Sequence, residues 1–168
     1  TRYISVTGVQ TCALPICVWT LAAQFGGDLL TPVIIVVSLL ACLTPLWAAG
    51  PTQDGAGLKA RALAVWPLAA LGGWLTVATV LNFITLAQRY GLLDGMAPEA
   101  WGVAGVVIVG VVALATILRT RLWVCGLPVA WGLIAVYFAE AQRHPTTAWA
   151  AVAGVAVVLL AVLVRGRR

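Results

Sequence analysis

Five long apolar segments, each able to cross a bilayer as a helix, constrain this chain more than any other feature. A hydrocarbon core of about 30 Å requires roughly 20 apolar residues in a helix. The segments cover residues 29–48, 62–87, 101–118, 122–139 and 146–164. Apolar residues make up 62% of the chain and charged residues only 9%, against about 25% charged residues in soluble domains. The sequence therefore predicts an all-α integral membrane protein, a polytopic bundle of five transmembrane helices.

The first residues differ from the rest of the chain. Residues 6–16, VTGVQTCALPI, resemble the codon-by-codon translation of a common sequencing-library adapter. We therefore predict that residues 1–16 are an assembly artefact outside the fold, and that residues 17–168 form a single transmembrane helical domain. The chain begins with Thr1 rather than Met, which suggests a C-terminal fragment of a longer protein. The short apolar stretch at residues 17–27 would then be the stump of a truncated helix.

Basic residues are distributed unevenly between the two sets of segments that five spans would place on opposite sides of a membrane. One set holds only Arg89 and Arg143. The other holds seven basic residues: Lys59, Arg61, Arg119, Arg121, Arg165, Arg167 and Arg168. Because cytoplasmic segments favour Lys and Arg, the sequence predicts a cytoplasmic C-terminus and an external Asp28. Contact of these basic residues with anionic lipid headgroups accounts for the net charge of +5, so no nucleic-acid partner is predicted.

Residues 74–83, WLTVATVLNF, place an indole and an amide inside the second span. At about 100° per residue, Trp74, Ala78 and Asn82 follow one another along one ridge of a helix. An amide without a partner is costly in hydrocarbon, so this ridge should face protein or a cavity. Two interpretations stay open. The ridge is either a helix contact, with close approach at Ala78 and hydrogen bonding by Asn82, or a wall that faces a ligand.

The same segment resembles the last helix of the five-helix members of the TspO/MBR family, the tryptophan-rich sensory proteins or translocator proteins. The residues that carry the resemblance are Pro67, Trp74, Leu75, Ala78, Thr79, Leu81, Asn82 and Phe83. A shorter pattern ahead of the first long apolar segment, with Trp19, Phe25 and Gly26, is similar to the family's Trp and Phe-Phe-Gly pattern. The segments after residue 98 resemble the helices appended in longer bacterial relatives.

This resemblance implies helices that enclose an aromatic-lined cavity, which binds porphyrins or similar flat hydrophobic ligands in a sensory, regulatory or transport-associated role. The ligand-binding residues that it implies are Trp74, Ala78 and Asn82 on one helix, with Trp19 and Phe25 from the shorter pattern. Indole stacking on a flat macrocycle, with an Arg near the rim to meet carboxylates, would be the physical basis. A bacterial inner membrane is the implied location. The alternative is a helix-bundle membrane protein or transporter subunit in which the Trp74–Asn82 face only packs.

Residues suited to catalysis or metal binding are sparse. His144 is the only histidine and lies in a predicted loop, where Glu140 and Arg143 are spaced for an ordinary surface ion pair. The cysteines lack the spacing of a metal or redox pair. We therefore predict no enzymatic activity, no catalytic residue, no metal site and no cofactor, with porphyrin or haem expected only as a ligand. The expected partners are membrane lipids and a hydrophobic small molecule, with homodimerisation left open.

Overall fold

The computed structural model describes residues 17–22, 24, 30–50 and 57–166, and these form helices and turns without any strand. Residues 17–22 are helical. The long helices that follow are α1 (Leu30–Ala49), α2 (Trp66–Arg89), α3 (Pro98–Thr120), α4 (Gly126–Glu140) and α5 (Pro145–Gly166). Five helical stretches of the described chain are long and apolar enough to cross a membrane. The prediction of an all-α polytopic membrane protein is confirmed, whereas residues 1–16, Phe25 and Asp28 lie outside the described residues.

The second span begins earlier than α2 itself. One helical turn at Leu58–Ala60 leads into a π-helical segment at Arg61–Val65, and the N–H of Trp66 donates to the carbonyl oxygen of Arg61. Pro67 explains this wider turn, because proline lacks an N–H and its ring crowds the carbonyl four residues earlier. The result is a helical span of 32 residues from Leu58 to Arg89.

The connection between α3 and α4 is short and sharply turned. Arg121 adopts a left-handed conformation with φ of 58°, and the hydroxyl of Thr120 accepts the N–H of Leu122. A 3₁₀ turn follows, so α4 begins only at Gly126. Pro128, whose place inside the predicted fourth span would suggest a kink, therefore lies in the first turn of α4. Proline is tolerated in a first turn, because the N–H that it lacks has no partner within the α-helix there.

Helix α2 lies between two packed groups of helices. On one side it packs against α1 through a cluster that includes Ile35, Cys42 and Leu75. On the other side Val77 joins the largest buried cluster, which is built mainly from α3, α4 and α5. Glycines permit close contact on both sides of the helix: a Cβ on Gly72 would meet Leu43 of α1, and one on Gly73 would overlap the carbonyl oxygen of Cys125.

Several hydroxyl side chains in the spans bond to their own helices, whereas Thr79 Oγ1 is buried without a partner among the described residues. The hydroxyls of Ser38, Thr76 and Thr116 each donate to the carbonyl oxygen four residues earlier, at 2.8 Å. The hydroxyl of Thr116 also accepts the indole N–H of Trp47, at 3.2 Å, which joins α1 to α3. Since lipid offers no hydrogen-bond partner, these bonds allow the hydroxyls to be buried.

Candidate functional site

A cavity of about 490 Å³ lies among the helices of the larger packed group. Its walls come from α2 between Trp74 and Gln88, the first half of α3, the second half of α4, and the turn that leads into α5. The residues around it are Trp74, Val77, Val80, Leu81, Ile84, Gln88, Pro98, Gly102, Gly105, Val106, Val109, Gly132, Leu133, Ala135, Val136, Ala139, Glu140, Arg143, His144 and Thr147. The volume falls within the range of small-molecule sites, roughly 300–1,000 Å³.

The deep end of the cavity is apolar and aromatic. Trp74 of α2 contacts Trp131 of α4, with ring centroids 5.3 Å apart and an interplanar angle of 38°. Both indoles stay accessible, Trp74 at 42% and Trp131 at 62%. A rise of 1.5 Å per residue places Trp131 roughly 14 Å below Glu140 along α4. The indole pair therefore lies well inside the span. Trp74 lines the cavity next to its aliphatic walls, whereas Trp131 contacts Trp74 without lining the cavity.

The other end, which we call the mouth, is polar. Gln88, Glu140, Arg143, His144 and Thr147 line it, where α2 and α4 end and where α3 and α5 begin. Nε2 of His144 lies 3.9 Å from Oε2 of Glu140, a contact that becomes an ion pair when the imidazole is protonated. The expected pair between Glu140 and Arg143 does not form: the Arg143 side chain has no partner among the described residues. Apolar depth and a charged mouth together suit an amphiphilic molecule.

Glycines shape the walls of the cavity. A Cβ on Gly105 of α3 would lie 2.8 Å from Ile84, and one on Gly132 of α4 would lie 2.9 Å from Val77. Both contacts bring α2 close to its neighbours, so this part of the cavity is bounded by tightly packed helices, and a turn contributes only at the mouth. Such walls hold an aromatic surface in a fixed position.

The structure separates the five residues predicted to bind a ligand. Trp74 lines the cavity, but Ala78, one turn later on the same ridge, packs against the α1 cluster. The amide of Asn82 donates to the carbonyl oxygen of Ala78 at 3.0 Å, and Asn82 does not line the cavity. Trp19 also packs against the α1 cluster, and Phe25 lies outside the described residues. Of the four described residues, only Trp74 reaches this cavity, and a ligand-binding role for any of the five stays a prediction.

The polar residues of the mouth were not predicted as site residues. Their signal in the sequence is topological: the turn after α2 and the turn after α4 must emerge on the same side of a five-span bundle. Sequence alone does not show that the two turns are neighbours. Within the described ranges, no group of three or more His, Cys, Asp or Glu side chains is placed to hold a metal ion.

Comparison with known families identifies the chain. A family profile described as TSPO-like protein matches residues 3–164, and this match includes most of residues 1–16, so the boundary at residue 17 stays a prediction. Searches of curated proteins and of solved structures gave no significant match. Because the profile covers nearly the whole sequence and the described residues include five helices suited to a membrane, the chain belongs to the TSPO-like protein family as an integral membrane protein.

Proposed function

We propose that this protein binds a flat, largely apolar ligand of the tetrapyrrole class in the cavity between α2, α3, α4 and α5. The observation that carries the proposal is the indole of Trp74, which lines an otherwise aliphatic part of the cavity and is backed by a ring contact with Trp131. Indoles offer a large apolar surface and favour offset or tilted contact with another aromatic system, so a planar macrocycle suits them. The family membership supports the same ligand class.

The proposed role is sensory or transport-associated rather than enzymatic. Among the described residues of the lining there is a single carboxylate, Glu140, and the hydroxyl of Thr147 donates to the carbonyl oxygen of Glu99, whereas binding requires only the aromatic surface and the polar mouth. The excess of basic residues at the other end of the bundle supports a cytoplasmic C-terminus, and the resemblance to bacterial relatives supports an inner membrane location. The mouth would then open towards the external side.

A second candidate is a helix-bundle membrane protein, such as a transporter subunit, in which the face of α2 only packs. The positions of Ala78 and Asn82 favour this interpretation for those two residues, since one contacts the α1 cluster and the other bonds within its own helix. It does not account for Trp74, whose indole remains 42% accessible beside the cavity. The two candidates therefore differ in what a change at Trp74 should do.

Titration of the purified protein with protoporphyrin IX in neutral detergent tests the proposal. Replacing Trp74 by alanine should weaken binding about fivefold, because a direct aromatic contact contributes about 1 kcal/mol. Trp66→Phe is the matched control. Trp66 pairs with Trp123 at 6.2 Å and does not line the cavity, and this variant also loses one indole from the fluorescence signal. Affinity that is equal in Trp74→Ala and wild type would contradict the proposed site, as would equal losses in both variants.

A further inference from the structure

Arg143 holds an uncompensated positive charge at the mouth of the cavity. Among the described residues that line the cavity it is the only Arg or Lys, and its guanidinium has no hydrogen bond or ion pair with any of the described residues. An unpaired guanidinium presents a planar fork of donors that matches a carboxylate. We propose that Arg143 recognises an acid group on the cavity ligand. The ligand then lies with its apolar body against Trp74 and its carboxylate at the mouth.

The acidic side chains near the mouth contact other residues of the protein rather than Arg143. Glu140 is the only carboxylate of the lining, and its Oε2 lies 3.9 Å from His144. Glu99, at the start of α3, accepts the hydroxyl of Thr146 through Oε2 at 3.0 Å. Both acids thus have contacts within the protein, whereas Arg143 has none. Glu140 still repels an anion at the mouth, so it should oppose the effect of Arg143.

The start of α5 adds to the positive potential at the same place. The helix begins at Pro145, and Thr147 in its first turn lines the cavity. The N-terminus of a helix carries about half a positive charge, which favours a nearby anion. This contribution is secondary, because it falls off within the first turn and is screened by salt. Arg143 therefore determines the preference, and the helix end supports it.

This inference rests on the proposed function, and the experiment compares protoporphyrin IX with its dimethyl ester. The two ligands share the macrocycle but differ in the acid groups, so the ratio of their affinities isolates the acid contact. Arg143→Gln should reduce the acid-to-ester affinity ratio about fivefold relative to wild type, as expected for a partly exposed charge-assisted contact. Because the ratio is compared between proteins, intrinsic differences between the two ligands cancel.

Three variants serve as controls. Arg143→Lys should retain part of the acid preference, because it keeps the charge without the planar fork. Glu140→Gln should raise the ratio, since it removes the opposing charge. Arg119→Gln changes an exposed basic residue at the other end of the bundle, in the last turn of α3, and should leave the ratio at the wild-type value. An equal ratio in Arg143→Gln and wild type would overturn the inference.

The result separates this inference from the proposed function. If neither porphyrin binds the wild-type protein, the proposed function fails. If both bind but Arg143→Gln leaves the ratio unchanged, only the acid contact fails. Repeating the titration in nanodiscs with and without phosphatidylglycerol distinguishes a lipid phosphate from the acid of the ligand. A preference retained in both bilayers assigns Arg143 to the ligand, whereas a preference lost only in the anionic bilayer assigns it to the headgroup and overturns the inference.

Discussion

Replacing Gly73 by alanine should destabilise the protein more than any other single methyl addition considered. The new Cβ would overlap the carbonyl oxygen of Cys125 and lie 3.1 Å from the carbonyl carbon. These atoms belong to the backbone of the turn that starts α4, so no side-chain rotation relieves the overlap. We expect a loss of about 3 kcal/mol and a Tm lowered by roughly 10 °C, measured by thermal unfolding in detergent.

Gly110→Ala is the matched control for this prediction. Gly110 also lies inside a transmembrane helix, α3, but a Cβ there would meet no atom within 4 Å. The substitution should leave Tm unchanged or raise it slightly, because alanine favours the helix over glycine by up to about 1 kcal/mol. Equal destabilisation by both variants would show that the contact between α2 and the start of α4 is not as close as described.

Replacing Ala135 by tryptophan should abolish most ligand binding. Ala135 lines the cavity on α4, one helical turn after Trp131, so an indole at this position can enter the cavity. For the ligand to bind, either the new indole must move out of the cavity or the ligand must shift away from it, at a cost of roughly 2 kcal/mol. This cost corresponds to an affinity for protoporphyrin IX about 30-fold weaker. Titration in detergent measures the effect, and a Tm near the wild-type value would show that the bundle remains folded.

The neighbouring residue offers a close control. Ile134 is 41% accessible and does not line the cavity, so Ile134→Trp adds an indole to the same helix at almost the same depth. Binding by this variant should match wild type. If both tryptophan variants bind as wild type does, the ligand does not occupy this cavity.

The helices of the fold could be predicted from the sequence because the length of an apolar segment indicates whether it can span a membrane. Predicted spans at 29–48 and 101–118 correspond to the observed helices Leu30–Ala49 and Pro98–Thr120. The predicted span at 122–139 includes a 3₁₀ turn before α4 begins at Gly126, and hydropathy does not show this turn. Where a helix starts depends on turn geometry rather than on the apolar character of the segment.

The candidate site could be predicted only in part. Helical periodicity placed Trp74, Ala78 and Asn82 on one ridge, but it does not show which neighbour each residue meets. In the structure this ridge follows the boundary between two packed groups, with Ala78 against α1 and Trp74 at the cavity. The places of Arg143 and His144 at the mouth could not be predicted, because they depend on which turns are adjacent. That adjacency depends on how α3, α4 and α5 pack.

Cysteine labelling with protoporphyrin IX present tests most directly whether the ligand occupies the cavity. Ala139 lines the cavity near its mouth, whereas the adjacent Phe138 is 74% accessible and does not line it. In a background without Cys12 and Cys17, Ala139→Cys and Phe138→Cys would each be reacted with a small maleimide. We predict that the porphyrin slows labelling at position 139 and leaves position 138 unchanged. Equal labelling rates at position 139 with and without saturating porphyrin would contradict the account.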